Sequence, residues 1–387
     1  MRVLQIHNRY RQFGGEDVVA AQQFQLLQAA GHRVESWWPQ NAPGPTATLA
    51  LAGSLWNPRT AQRVERLVKG FRPDIAHIHN TWFTVSPSAV TTLRRLGVPV
   101  VLSLHNYRLV CAAATLFRDG APCEDCLGSH PWHAVRHRCY RGSAIQSAIA
   151  AGGIARQKSR RTWYDDVDRF LALSDFARER FIAGGLPADR ISVTANSVDD
   201  PGPRAQPPSA SDVVLFVGRL SEPKGVHVLL DAWARAAPPL RLVIAGTGPL
   251  EASLRQSAPA SVTFTGLLSH EATRDLMLEA RALVLPSVWY EGQPLVLLES
   301  AAAGLPVLLS DLGAMSGLLA PDAEALLFPA GSADALSARL TSLLDDRSVD
   351  QLGTFVRSRF EQRFTHADAL HRLETLYTAV RAQAAFG

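Results

Sequence analysis

The chain has 387 residues, 47% hydrophobic and 19% charged, with a formal net charge of +4. That length exceeds one ordinary core and suits two domains. Its longest apolar stretches are broken by charge, as Pro294 to Leu309 is by Glu299, and the first eleven residues hold three arginines without a run of signal-peptide length, so the expected location is cytoplasmic.

In chain order, short β-rich runs at Val3 to Ile6, Arg33 to Trp37, Ile75 to Ile78, Val98 to Leu104, Arg169 to Leu173 and Ile191 to Thr194 alternate with helical patterns. This alternation predicts a parallel sheet covered by helices. At Asp199 to Asp212 the composition turns proline-rich and almost free of apolar residues, which reads as a linker. The rhythm then restarts at Val213 to Val217, Leu240 to Ala245, Ser261 to Thr265, Ala282 to Leu285, Pro306 to Leu309 and Ala325 to Phe328, and the tail from Thr365 reads as an amphipathic helix. The expected fold class is therefore α/β, two Rossmann-like doubly wound parallel sheets facing across a cleft, with ligands held beyond the carboxyl ends of the strands. The predicted divisions are residues 1–198, a linker at 199–212, a second domain at 213–364 and a terminal helix at 365–387.

Charge is uneven: residues 1–197 carry 24 Lys+Arg against 14 Asp+Glu, and the remainder 15 against 21. A basic first half suits phosphorylated small molecules or an anionic membrane surface. Nucleic acid fits poorly, because the basic residues are scattered and no recognition helix or base-stacking motif accompanies them.

The strongest local signal is Glu291-Gly-Gln-Pro-Leu-Val-Leu-Leu-Glu299, placed after a strand and running into a helix. A helix beginning there offers free backbone N–H groups, at Leu295 and Val296 after Gly292, Gln293 and Pro294, as a phosphate site. Glu299, on an otherwise apolar run, is a costly place for an unpaired carboxylate and suits hydroxyl donors such as those of a ribose. A second signal is Val217-Gly-Arg-Leu-Ser-Glu-Pro-Lys-Gly225, which brings the cations Arg219 and Lys224 to a strand end, where they suit a diphosphate leaving group. In the first half, the glycines of Phe13-Gly-Gly-Glu16 allow backbone at Gly15 to approach a ligand, and His105 ends a strand within Leu102-Ser-Leu-His-Asn106, placed to hydrogen-bond a sugar or act near a reacting centre.

All four cysteines, Cys111, Cys123, Cys126 and Cys139, fall in one basic insertion at about 107–142 that also holds His130, His133 and His137. The spacing C-x11-C-x2-C-x12-C has one tight pair, so a structural zinc, reduced thiols, two disulfides and an iron–sulfur cluster all stay open.

The ordered set FGGE, SLHN, VGRLSEPKG, AGTGP at Ala245 to Pro249, and E-x7-E followed by SAAAGLPVL resembles glycosyltransferase family 4, retaining enzymes of the GT-B fold, over nearly the whole chain. The resemblance implies that Glu299 binds the nucleotide ribose, that Arg219 and Lys224 hold the diphosphate, and that Glu291 faces the donor sugar. It implies that backbone from Gly292 to Val296 meets sugar and phosphate, that Gly15 approaches from the other domain, and that His105 touches the sugar. It also implies an acceptor-binding first domain, a donor-binding second one, a C-terminal helix packed back on the first, and retention through an oxocarbenium-like transition state without a catalytic metal or protein nucleophile. The expected partners are a UDP- or GDP-sugar and a glycan or lipid-linked acceptor in cell-surface polysaccharide synthesis. One departure is Ala195-Asn-Ser-Val-Asp199, where the family often has glycine in place of Ser197.

Two other readings remain: a non-catalytic nucleotide-sugar binder, which the intact Arg219, Lys224, Glu291 and Glu299 set disfavours, and a dinucleotide-dependent oxidoreductase, disfavoured because the first strand lacks a G-x-G-x-x-G turn and Gly246-Thr-Gly248 lacks its third glycine.

Overall fold

A computed structural model describes residues 1–9, 14–40, 51, 53–319 and 324–386. The chain forms two compact units: Met1–Leu116, Cys123–Ala195 and Ala367–Gly387 make the first, and Phe117–Pro122 with Asn196–His366 make the second.

Fourteen strands are described: β1 (Arg2–Ile6), β2 (Arg33–Trp37), β3 (Ile75–Ile78), β4 (Val100–Leu104), β5 (Phe117–Arg118), β6 (Ala121–Pro122), β7 (Arg169–Ala172), β8 (Ile191–Val193), β9 (Val213–Val217), β10 (Arg241–Ala245), β11 (Val262–Gly266), β12 (Ala282–Leu285), β13 (Val307–Asp311) and β14 (Leu327–Pro329). Twelve of them coincide with the β-rich runs of the sequence. The short antiparallel pair β5–β6 has no such run, because two-residue strands leave no periodicity to read.

In the first unit the sheet order is β2-β1-β3-β4-β7-β8, parallel throughout. Val3, Ile75, Val101 and Leu171 on one face pack against Leu373, Tyr377 and Val380 of the terminal helix His366–Phe386, so that helix is part of this core. In the second unit the order is β11-β10-β9-β12-β13-β14, again all parallel. Strand order reverses beside β1 and β3 in the first sheet and between β9 and β12 in the second. These are the switch points where loops on the carboxyl side diverge and leave a crevice.

The proline-rich stretch does not run free. Within the second unit, the Arg204 guanidinium donates to the carbonyls of Met277 and Ala280, Ser209 bonds Asp350 through both its amide and its hydroxyl, and Arg357 pairs with Asp200. Composition predicts a linker, but it does not report the side chains that tie such a stretch down. Nearby, Ser197 Oγ lies 2.9 Å from His366 Nδ1 while Asp199 takes His366 Nε2 at 2.8 Å. The serine that stands where the resemblance has glycine is thus a hydrogen-bond partner in its own right.

Candidate functional site

At the switch point of the second sheet, the loop after β9 and the loop after β12 are clamped together through glycine. Gly225 has φ +66°, and a Cβ there would sit 1.9 Å from the carbonyl oxygen of Pro286. The amide of Val288 donates to Pro223 O at 2.9 Å, which fixes the same two loops in register. Glycine is needed for both reasons, the left-handed backbone and the absence of a side chain.

This clamp brings Lys224 and Glu291 into an ion pair, Nζ to Oε1 at 2.7 Å, with Ser287 Oγ donating to the same oxygen at 2.8 Å. Glu291 is buried, Lys224 is about one quarter exposed, and the ammonium lies 5.5 Å from the Trp289 ring centroid. The Arg219 side chain is exposed and makes no ion pair or hydrogen bond among the described residues. The site therefore offers one cation held by a carboxylate and one that is free. The Gln293 side chain is buried, its Oε1 accepting from the Asn196 amide at 2.6 Å and its Nε2 left without a partner. Such an unfilled buried donor costs about 1–3 kcal/mol unless something else accepts it. Pro294 is the N-cap of the helix Leu295–Ala302, and it supplies no side-chain cap to the N–H groups of Leu295 and Val296.

Glu299 lies in that helix, with its carboxylate 3.8 Å from His270 Nδ1. Burial raises its carboxyl above the usual range, His270 opposes the rise, and Asp199 adds to it. Ser287 gained no weight from the sequence and Gln293 only for its backbone, since serine and glutamine side chains in a loop look like solvated residues.

In the first unit, three neighbouring strands end in paired polar residues two positions apart: Gln5 and His7, His77 and His79, Ser103 and His105. Positions i and i+2 share one face of a sheet, so these six form one polar patch, buried except for the half-buried His105. His77 bonds Tyr377 OH at 2.6 Å and Ser103 Oγ at 2.8 Å, His7 bonds Asp17 at 2.9 Å, and His79 bonds His105 at 3.1 Å. Burial pushes His105 down to about 3, with His7 adding to it, and likewise holds His77 down at about 3. The His77 and His105 imidazoles are therefore neutral at physiological pH. Of them the sequence reading named only His105; the i, i+2 repetition over three strand ends is the signal it passed over. His105 borders a cavity of about 20 Å³ shared with Asn80, Ser103 and Asn106, room for a single water-sized group.

Gly15 opens the helix Gly15–Ala29, exposed, and Phe13 lies outside the described residues. The Gly14 N–H is taken by Asp17 Oδ2 at 3.0 Å, a capping arrangement. Glu16 accepts from the amides of Asn80 and Asn106.

None of the four cysteines is in a disulfide. Among the described residues no three His, Cys, Asp or Glu side chains are grouped to hold a metal ion, so Cys111, Cys123, Cys126 and Cys139, for which the spacing leaves a structural zinc open beside reduced thiols, disulfides and an iron–sulfur cluster, form no ready ligand set in this arrangement. Burial pushes Cys126 up to about 12, the nearby Cys111, Cys139 and Cys123 adding to the rise, which favours a neutral thiol in the metal-free protein. Cys126 should accordingly alkylate at pH 8 roughly a thousandfold more slowly than an ordinary thiol, each pKa step of one unit being tenfold in thiolate. Mass-resolved iodoacetamide labelling measures this, and labelling at the ordinary rate would contradict the half-buried neutral thiol.

Residues 14–197 match the family described as glycosyl transferase 4-like domain, and residues 211–346 match glycosyl transferases group 1. The chain is 31% identical over 382 residues to a phosphatidyl-myo-inositol mannosyltransferase of Mycolicibacterium smegmatis, covering 92% of this chain and 86% of that one. It is also 32% identical over 173 residues to O-antigen chain mannosyltransferase C of Escherichia coli, covering 43% of this chain and 46% of that one. The match to the first of these relatives is nearly full-length, whereas the match to the second spans about half of it. Among solved structures, Alr3699/HepE of Anabaena in complex with UDP superposes with a TM-score of 0.69 at 16% identity over 98% of this chain and 100% of that one. Sucrose-phosphate synthase of Thermosynechococcus elongatus gives a TM-score of 0.72 at 18% identity over 99% and 100%. At such identities the structures speak for the fold, two Rossmann-like domains of the GT-B type, while the matched families and the near full-length relative speak for descent: the chain belongs to the group 1 glycosyltransferases that carry a glycosyltransferase 4-like domain.

Proposed function

We propose that this protein transfers a sugar from a UDP- or GDP-sugar to a glycan or lipid-linked acceptor, with retention of anomeric configuration, in the synthesis of a cell-surface polysaccharide. The observation that carries the reading is the clamped pair of loops in the second unit, which sets Lys224, Glu291 and the free Arg219 at a sheet switch point. Departure of a nucleoside diphosphate leaves negative charge on the β-phosphate, and Arg219 and Lys224 supply fixed positive charge to meet it. A catalytic metal is not needed when side chains bring that charge. Glu291, oriented by Lys224 and Ser287, faces the donor sugar; Gly292 to Val296 offer backbone and the unfilled Gln293 amide; Glu299 takes the ribose hydroxyls. In the first unit, which we assign to the acceptor, Gly15 and His105 bind sugar.

The test is a thermal-shift screen against UDP, GDP and their sugar conjugates, with Glu299→Gln beside the natural protein. Burial raises the Glu299 carboxyl, so the folded state holds its proton more tightly than the unfolded one. Stability therefore falls as pH rises from the ordinary glutamate range through the raised folded value, and the loss persists above it. Glu299→Gln removes that loss: without ligand at pH 7 the variant should melt slightly higher, while its nucleotide-induced shift disappears. A variant that melts lower and keeps the shift would overturn the assignment. A shift without sugar turnover would favour a non-catalytic nucleotide-sugar binder.

We further assign the membrane-facing role to the first unit, on the cytoplasmic side. Residues 126–164 hold seven Lys+Arg and no Asp or Glu, and Trp132 and Ile145 are 48% and 71% exposed there. Trp132 lies 3.8 Å from the Cβ position of Gly152, on the same stripe of the helix Ala144–Ser159 as Ile145 and Ile149. Among the described residues no helix is long and apolar enough to cross a membrane. Cosedimentation should therefore be strong with phosphatidylglycerol-containing vesicles, weak with pure phosphatidylcholine, and reduced by salt and by Trp132→Ser with Ile145→Ser. Equal binding to both vesicle types would refute this role.

A further inference from the structure

We infer that Gln5 and His79 fix His105 as the Nδ1–H tautomer, so that its ligand-facing nitrogen is a hydrogen-bond donor that takes an oxygen lone pair, and not a base.

The argument is one of donor and acceptor accounting along a buried chain. Gln5 is fully buried, and its Nε2 lies 3.0 Å from Ala20 O and 2.9 Å from His79 Nε2. Turning the amide over would set Oε1 against the carbonyl of Ala20, acceptor against acceptor, so the amide nitrogen is the group that faces both neighbours. Its two hydrogens then go to Ala20 O and to His79 Nε2, which must be an acceptor. His79 is itself buried, and its charged form is opposed by burial first and then by His77, His105 and His7. A neutral His79 with a lone pair on Nε2 carries its hydrogen on Nδ1.

His79 Nδ1 lies 3.1 Å from His105 Nε2, with the two ring planes inclined by only 13° and their centroids 5.4 Å apart. That near-coplanar edge-to-edge placement directs the His79 N–H at the lone pair of His105. His105 Nε2 therefore accepts, and its own hydrogen sits on Nδ1. The reverse wiring fails at its far end, because it would point His79 Nε2–H at the Gln5 amide hydrogens. His105 Nδ1 makes no hydrogen bond to any described residue, and the ring is half-buried beside the small polar cavity. Gln5 and His79 act through His105 and are positioning residues.

The tautomer stands on these contacts alone; only the identity of the oxygen, a sugar hydroxyl or a phosphate, rests on the glycosyltransferase reading. The experiment is long-range 15N–1H imidazole spectroscopy on the ligand-free full chain with 15N-labelled histidine, His105 being assigned by the signal lost in His105→Asn. The expected result is a protonated Nδ1 and a bare Nε2 on both His79 and His105, and in Gln5→Met the appearance of an Nε2-protonated form at both rings. A bare Nδ1 or a doubly protonated ring at His105 in the natural protein would overturn the inference whether or not Gln5→Met folds. So would a Gln5→Met spectrum with both rings unchanged and the other histidines undisturbed. Because no substrate is added, a protein that turned over no nucleotide sugar would still give a definite answer.

Discussion

Lys224→Ala should cost about 2–3 kcal/mol of stability as well as roughly a hundredfold or more in sugar transfer. The two losses have different origins. Glu291 is buried with two partners on one oxygen, Lys224 Nζ at 2.7 Å and Ser287 Oγ at 2.8 Å. Removing the ammonium leaves the carboxylate with one neutral hydrogen bond in place of an ion pair, an uncompensated desolvation that the folded state must bear. The sequence motif alone suggests a ligand contact whose loss spares the fold; the ion pair makes the residue structural too. The double variant Lys224→Met with Glu291→Leu separates the two effects. It should recover most of the melting temperature, since apolar groups can replace both partners of a buried pair at little net cost, while transfer stays at or below the level of the single variant because Glu291 is lost as well. Stability lost equally in both variants would mean that the pair is not the source of the cost, and transfer preserved in Lys224→Ala would remove the lysine from the site.

A large effect from a single methyl group is expected at Gly225→Ala, about 4 kcal/mol or more. The added Cβ would meet Pro286 O at 1.9 Å, and that oxygen belongs to the backbone of the loop that carries Ser287 and Glu291. No flexible side chain is available to yield, so the two loops must part or the helix Val226–Ala236 must shift. Gly31→Ala is the matched control: its φ of +83° is equally left-handed, yet nothing lies within 4 Å of the added Cβ. Its cost should be the conformational one alone, about 1–2 kcal/mol. Chemical denaturation of the two variants reads the difference, and equal losses would show that steric contact at Gly225 contributes nothing beyond its dihedral angle.

Twelve strands and the order of the functional motifs were legible in the sequence because each depends on local pattern. Buried parallel strands are near-continuous apolar runs, and Pro294, Gly225 and Gly304 punctuate helix ends by their own backbone limits. What was less legible is partnership. Nothing within Val217 to Gly225 indicates that Lys224 will reach a carboxylate 67 residues away, and nothing near Gln5 announces a histidine 74 residues later. The cysteines mark the limit from the other side: their clustering along the chain is plain, but a metal site requires a shared centre, and their positions along the chain do not supply one.

The sequence by itself determined the alternation of strands and helices, the two-sheet architecture and the residue types able to meet a diphosphate, since these follow from periodicity, turn chemistry and charge. Only the tertiary structure decided that Lys224 is held by Glu291, that the proline-rich stretch is strapped to the second unit, that Ser197 serves His366, and that His105 ends a buried hydrogen-bonded chain. Each of those depends on groups distant along the chain meeting at bonding distance in a place without water, where every buried donor needs an acceptor, and no local pattern carries that information.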